Sequence, residues 1–267
     1  MKRIIFRWLK VLILVYCLIG IVIYYLQDKL LFHPQPLDAN YKYNFGVPFT
    51  EVNLPYSKNS TINIVQFHAQ GPVVKGVVLY FHGNKQNIER YAPAAPLFTS
   101  KGYHVWMIDY PGFGKSTGAF TEQQLYDWAL IFYKLARARY SADSIILYGR
   151  SMGTGIASQL GSIRNCKALI LEGPYYSIPS IFDSWLPVYP TNKMIHYKLP
   201  TWQYVQQVGA PVIIFHGTDD RTIPYRNAKK LQPYLKPGDL FVTVEGAHHN
   251  DLREFPLYRQ KMDSLLK

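Results

Sequence analysis

Only two cysteines occur in 267 residues, Cys17 in an apolar N-terminal run and Cys166 far along the chain. They supply no disulfide framework, and no Cys/His pair or HExxH-like pair stands at metal-ligand spacing, so a zinc site is not expected. His33, His68, His104 and His196 each stand alone, and a lone histidine is more often a satisfied polar residue than a ligand. Internal repeats and low-complexity linkers are missing as well, which favours one large domain over two small ones. Acidic residues are scarce, 17 against 29 lysines and arginines, for a net charge of +12. The basic residues are scattered and not interleaved with aromatics, which argues against a nucleic-acid partner; attraction to anionic lipid head groups, given the apolar N-terminal run, or ordinary solubility are the uses left for that charge. Glycine-rich nucleotide signatures fall short: Gly112-x-Gly114 is followed by Thr117 where a dinucleotide fingerprint needs glycine. Gly114-Lys115-Ser116 has Asp109 where a phosphate loop begins with glycine. No cofactor is expected.

What is present is apolar and aromatic: 48% hydrophobic residues, 15% aromatics and 22 tyrosines, values of a chain with a core. Lys2, Arg3, Arg7 and Lys10 precede an uncharged run from Val11 to Leu26, closed by Gln27-Asp28-Lys29. The run is a little short of the ~20 residues a membrane span prefers, but Trp8 and Leu9 extend it, Lys10 can snorkel, and Tyr24 and Tyr25 suit the far interface. A cleaved signal peptide is the rival. Bulky side chains fill the positions where small cleavage-site residues belong, and Tyr16 before Cys17 spoils a lipoprotein site, so residues 1–29 read as an uncleaved anchor. The basic flank then stays in the cytoplasm and the following domain is periplasmic or luminal. Residues 30–48 form an aromatic, proline-containing connector, and 49–267 the main domain.

Within that domain, Glu51–Leu54 and Ile62–His68 alternate in period two, which predicts antiparallel edge strands with one wet face. Residues 76–81, 105–108, 145–148, 168–171 and 212–215 are instead continuously apolar, as strands buried on both faces are. Helical patterns separate them at about 86–100, 121–139, 152–162 and 225–235, the βαβ alternation of a mostly parallel sheet. Residues 241–245 predict a last strand and 252–266 a closing helix. Residues 174–208, rich in Tyr, Trp and Pro, break the rhythm and predict a small lid over the C-terminal edge of the sheet, where open α/β sheets bind ligands.

The chemistry centres on Gly149-Arg150-Ser151-Met152-Gly153, between the apolar run 144–148 and a small-residue helix start. A serine between two glycines at a strand-to-helix turn reads as a nucleophile elbow: the turn is strained, and side chains at the flanking glycines would collide. Such a serine needs a base, and the base an acid. Asp219 and Asp220 follow one buried strand, and His248 and His249 follow the last. The order Ser, Asp, His is that of α/β-hydrolases.

From Val52 onward the chain resembles the α/β-hydrolase superfamily. The set FHGN (81–84), DYPGFGKS (109–116), GRSMG, HGTDDRTIP and AHHNDL is similar to that of its membrane-anchored abhydrolase branch. The resemblance implies an α/β-hydrolase fold with a small lid, preceded by one transmembrane helix, and places the nucleophile on Ser151, the acid on Asp220, the base on His249 and the oxyanion donors on the backbone N–H groups of Met152 and Asn84. It implies loop support for His82 and structural roles for Asp109 and Tyr110. The chain departs from the family in having His248 where glycine is usual. The expected activity is cleavage of an acyl ester or thioester of a lipophilic substrate, such as a lysophospholipid, a monoacylglycerol or an acylated protein. A peptidase of the same fold and a non-catalytic anchored binding module are the alternatives.

Overall fold

The five continuously apolar runs become five adjacent parallel strands of one eight-stranded sheet. The structure, a computed structural model, describes all residues from Met1 to Lys267. In chain order the strands are β1 (Phe49–Ser57), β2 (Ser60–Phe67), β3 (Gly76–Phe81), β4 (Tyr103–Ile108), β5 (Ile145–Arg150), β6 (Ala168–Glu172), β7 (Val212–Gly217) and β8 (Leu240–Val244). Across the sheet they run β8-β7-β6-β5-β3-β4-β2-β1, with only β1 and β2 antiparallel to their neighbours. The chain leaves β3 to one side for β4 and crosses back to the other side for β5. The loops after β3 and β5 therefore diverge and leave a crevice at the strands' C-terminal ends.

The strand pair at the start departs from the expectation of two half-wet edge strands. β1 is the edge and is partly exposed, whereas β2 is buried almost throughout. The connector causes this: the Phe45 ring lies 5.0 Å from Phe67, and the Tyr43 hydroxyl donates to Asn63 Oδ1 at 3.1 Å. The polar members of the alternation are consequently interior, and the Asn63 amide is satisfied by Glu51 and Asn53.

Helices α2 (Glu122–Arg137) and α3 (Gly153–Ile163) cover one face, and the closing helix α5 (Pro256–Leu265) lies on the other. The helix expected at 86–100 is broken into Ile88–Tyr91, Ala92–Ala94 and Pro96–Thr99. Pro93 and Pro96 supply no N–H for a continuous ladder. The helix expected at 225–235 likewise stops at Lys229 and resumes as a single tight turn around Pro233, and the closing helix begins at Pro256 after a separate turn at Leu252–Glu254.

Residues 174–208 form a cap of short helices: α4 (Ile178–Trp185), opened by a Ser177/Ser180 capping box, then Thr191–Met194 and Thr201–Val205. Tyr175 ties its start to the elbow by donating to Met152 O at 3.0 Å. The N-terminal helix α1 runs from Lys2 to Leu31, two residues past the expected end of the anchor segment. It is long and apolar enough to cross a membrane. From its end the connector pairs His33–Pro34 with Lys85–Gln86, so it is laced to the loop after β3.

Candidate active site

Ser151 stands at the end of β5 with φ of +52°, in the left-handed region that a non-glycine residue adopts at a cost of roughly 1–2 kcal/mol. The turn is held open by its neighbours. A Cβ on Gly153 would lie 2.0 Å from Phe81 O, and one on Gly149 would lie 2.6 Å from Gly153 O. Ser151 N–H donates to Glu172 O at 2.9 Å, and Thr154 N–H donates to Ser151 O at 2.9 Å to start α3.

His249 comes from the loop after β8 and is half-buried; its Nε2 lies 3.0 Å from Ser151 Oγ. Its Nδ1 lies 2.6 Å from Asp220 Oδ2. The other carboxylate oxygen of Asp220 accepts the N–H groups of Thr222 and Ile223, both at 2.8 Å. Burial pushes the Asp220 carboxyl up, but the hydrogen bond and charge of His249, the Ile223 N–H and His216 together outweigh it and hold the group below its ordinary range. His216, buried beneath, donates its Nε2–H to Ile223 O at 2.9 Å; burial pushes its pKa down, against the pull of Asp220.

The neighbours in each pair lie elsewhere. Asp219 and His248 are exposed, with His248 Nδ1 2.9 Å from Asp219 O, away from Ser151. His82 is fully buried, with Nε2 3.1 Å from Asp109 Oδ1 and Nδ1 2.7 Å from Gly83 O. Tyr110 donates to His82 O at 2.8 Å, so this cluster fixes the Gly83-Asn84 loop. The backbone N–H groups of Asn84 and Met152 donate to no protein acceptor, and both residues border the same cavity as Ser151.

Two cavities meet at Ser151, sharing Asn84 and Thr222 as well. One of about 300 Å³ is almost wholly apolar and is walled by Met152, Ile178, Ile181, Phe182 and Ile223 together with α1. The other, about 50 Å³, is polar and basic, with Lys85, Arg90 and Arg150 but no acidic residue in its lining. No cluster of three or more His, Cys, Asp or Glu side chains is arranged to hold a metal ion.

Sequence reasoning missed a buried network under the elbow. Glu172, the last residue of β6, is 2% exposed and binds Arg150 Nε and Arg253 Nε, each at 3.0 Å. The hydroxyls of Tyr148 and Tyr258 also donate to it. Burial raises the Glu172 carboxyl, yet the two guanidinium groups outweigh this and bring it to about 2. Arg150 in turn donates to Asn250 Oδ1 at 3.1 Å, linking the elbow to the histidine loop. A glutamate closing the apolar run 168–171 was the available signal. It reads as an ordinary strand end.

A family model described as serine aminopeptidase, S33 matches residues 72–204. The chain is 29% identical to human (Homo sapiens) Protein ABHD12B over 178 residues, 58% of this chain and 48% of that protein. To the alpha/beta hydrolase domain-containing protein 17C of Xenopus tropicalis it is 28% identical over 200 residues, 73% of this chain and 63% of that protein. It thus spans about half to two-thirds of the length of these relatives. Among solved structures it is similar to the Pyrococcus furiosus esterase Pf2001, with a TM-score of 0.69 at 17% identity, covering 88% of this chain and 98% of that one. The strand order, the motifs along β3 to β8 and these likenesses agree: the chain belongs to the α/β-hydrolase superfamily, on its abhydrolase-domain branch.

Proposed function

We propose that this hydrolase cleaves the acyl ester or thioester of a lipophilic substrate by a serine, histidine and aspartate relay. One observation carries the reading: the unbroken chain Ser151 Oγ, His249 Nε2, His249 Nδ1, Asp220 Oδ2, at 3.0 and 2.6 Å, opening onto an apolar cavity. Ser151 Oγ attacks the acyl carbonyl carbon while His249 Nε2 takes its proton. Asp220 holds the Nδ1–H tautomer and stabilises the imidazolium. The carbonyl oxygen, now negative, is met by the N–H groups of Met152 and Asn84, preorganised donors of a kind worth about 3–4 kcal/mol each. Collapse breaks the bond to the alcohol or thiol, which leaves with the proton from His249. Water, deprotonated by the same histidine, then releases the acid and restores Ser151.

The peptidase reading is disfavoured by charge. An aminopeptidase must hold a substrate ammonium, and neither cavity is lined by an acidic residue, while the polar one carries three cations. The apolar cavity is of the size that binds small ligands. The organisation proposed with this activity is an anchor at 1–29 with its basic flank cytoplasmic, a connector at 30–48 and a periplasmic or luminal domain at 49–267 capped by a lid at 174–208.

A fluorophosphonate probe tests the chemistry. The full-length protein is expected to label, and Ser151→Ala to lose all labelling. A folded wild type that does not label leaves only the non-catalytic binding module.

A further inference from the structure

A helix that only tethers a domain has no need of a fixed position against it, yet α1 is held to the cap along half its length. The Tyr16 ring stacks on Tyr189 at 4.5 Å and 4°. The Tyr16 hydroxyl donates to Val188 O at 3.2 Å, and the Tyr189 hydroxyl to Tyr16 O at 2.9 Å. One turn on, a Cβ at Gly20 would lie 3.3 Å from the Tyr189 ring, so glycine permits the close approach. Further along, Gln27 is 1% exposed; its amide donates to Met194 O at 3.2 Å and Tyr24 O at 2.7 Å, and accepts His196 N–H at 2.6 Å. At the helix end Leu31 O accepts the side-chain amide of Asn84 at 2.5 Å.

Between these fastenings α1 faces inward. Ile23, 6% exposed, is the only buried residue of this helix besides Gln27, and Ile23, Leu30 and Leu31 line the apolar cavity together with Ile181 and Trp185. At the rise of about 1.5 Å per residue, Tyr16 lies roughly 22 Å down the axis from Leu31. The cap tip fastened at that level exposes Trp185 and Val188, large apolar side chains beside the uncharged stretch Val11–Leu26 of the helix. Such a tip is matched to hydrocarbon rather than water.

We propose that α1 is a wall of the substrate site: the cap tip sits in the bilayer beside the helix, the cavity takes one acyl chain directly from the leaflet, and Ile23 is a specificity-determining residue. The acyl identity of the occupant rests on the serine-hydrolase reading; the helix wall itself does not.

The test uses full-length protein in phosphatidylcholine nanodiscs and a 16-carbon fatty acid carrying a diazirine near its chain end. With Ser151→Ala protein, which requires no turnover, adducts are expected on 23–31 together with 178–186, and Ile23→Trp should reduce those on 178–186 at least fivefold. Adducts confined to outward positions such as Leu12 and Leu14, indifferent to Ile23→Trp, overturn the proposal. In a turnover arm, the ratio of kcat/KM for hexadecanoyl over butanoyl p-nitrophenyl esters should fall at least tenfold in Ile23→Trp. An unchanged ratio also overturns it. Should Ile23→Trp misfold, Ile23→Ala replaces it, and a chain-length optimum and adduct pattern identical to wild type count against the wall. Absence of any ester turnover strikes the hydrolase reading alone, and the crosslinking arm still decides this one.

Discussion

Beneath Ser151 the elbow hangs from adjacent strands: β5 and β6 are hydrogen-bonded neighbours, and Glu172, Arg150 and Arg253 form a buried charged cluster between them and the histidine loop. Above Ser151 the roof joins segments some 170 residues apart in sequence, α1 and the cap, through two aromatic pairs, Tyr16–Tyr189 and Tyr24–His196, and a few hydrogen bonds. The floor therefore cannot move without uncovering buried charge, which is expensive. The roof can part locally at much lower cost, as regions with few buried contacts do. On the proposed roles, chemistry is held by the stiff side and substrate selection by the loose one.

The sharpest way to break this contrast is at the relay. On the proposed roles, His249→Ala and Asp220→Asn should each lower kcat about 1,000- to 10,000-fold while thermal unfolding changes little, measured on a short-chain ester. A loss in kcat below tenfold for His249→Ala would remove it from the mechanism.

Next in size is the floor itself. Glu172→Gln leaves two partly buried guanidinium groups poorly compensated, with an expected loss of about 2–3 kcal/mol and a Tm lower by roughly 4–12 °C. The pH dependence has a definite sign. The folded carboxyl sits at about 2, below its ordinary value of 4.5, so its contribution is present above 4.5 and is lost as the pH falls toward 2. The shift corresponds to about 3 kcal/mol. Denaturant melts from pH 6 to pH 3 should show the gap between wild type and Glu172→Gln narrowing with acid. A gap that widens contradicts the assignment.

The roof should respond differently. Gln27→Leu leaves Met194 O and His196 N–H without their partner, a local cost of about 1–3 kcal/mol. Hydrogen exchange across 186–198 should speed up about tenfold or more while β5 and β6 keep their protection. Uniform acceleration would mean the two regions are one cooperative unit.

The same contrast explains what could be read from sequence. Strands buried on both faces carry continuous apolar runs, so the central sheet was legible, and the elbow was legible because sterics demand glycine at 149 and 153. β2 misled because its alternation is real but its polar residues, Asn63 among them, are satisfied internally under the connector. The helix at 86–100 ignored two prolines. Glu172 and Gln27 were invisible for a common reason: a polar residue at the end of an apolar run reads as the point where water begins, and only tertiary partners make it interior. Hydropathy marks α1 as long and apolar enough to cross a membrane, but which of its faces meets protein is set by tertiary partners alone.

The smallest expected effects come from the twin residues of the relay, and they discriminate because chemistry is held constant while position changes. Asp219 and Asp220 are adjacent carboxylates, but Asp219 is exposed and its side chain meets only the Thr218 hydroxyl, at 3.2 Å. His248 is exposed in the same way, with its ring against Asp219 O. Asp219→Asn and His248→Ala should therefore each change kcat/KM by less than about threefold, within the range of surface substitutions that cost at most roughly 0.5 kcal/mol. A hundredfold loss in His248→Ala with His249→Ala near wild type would exchange the two histidines, and with them the loop geometry after β8.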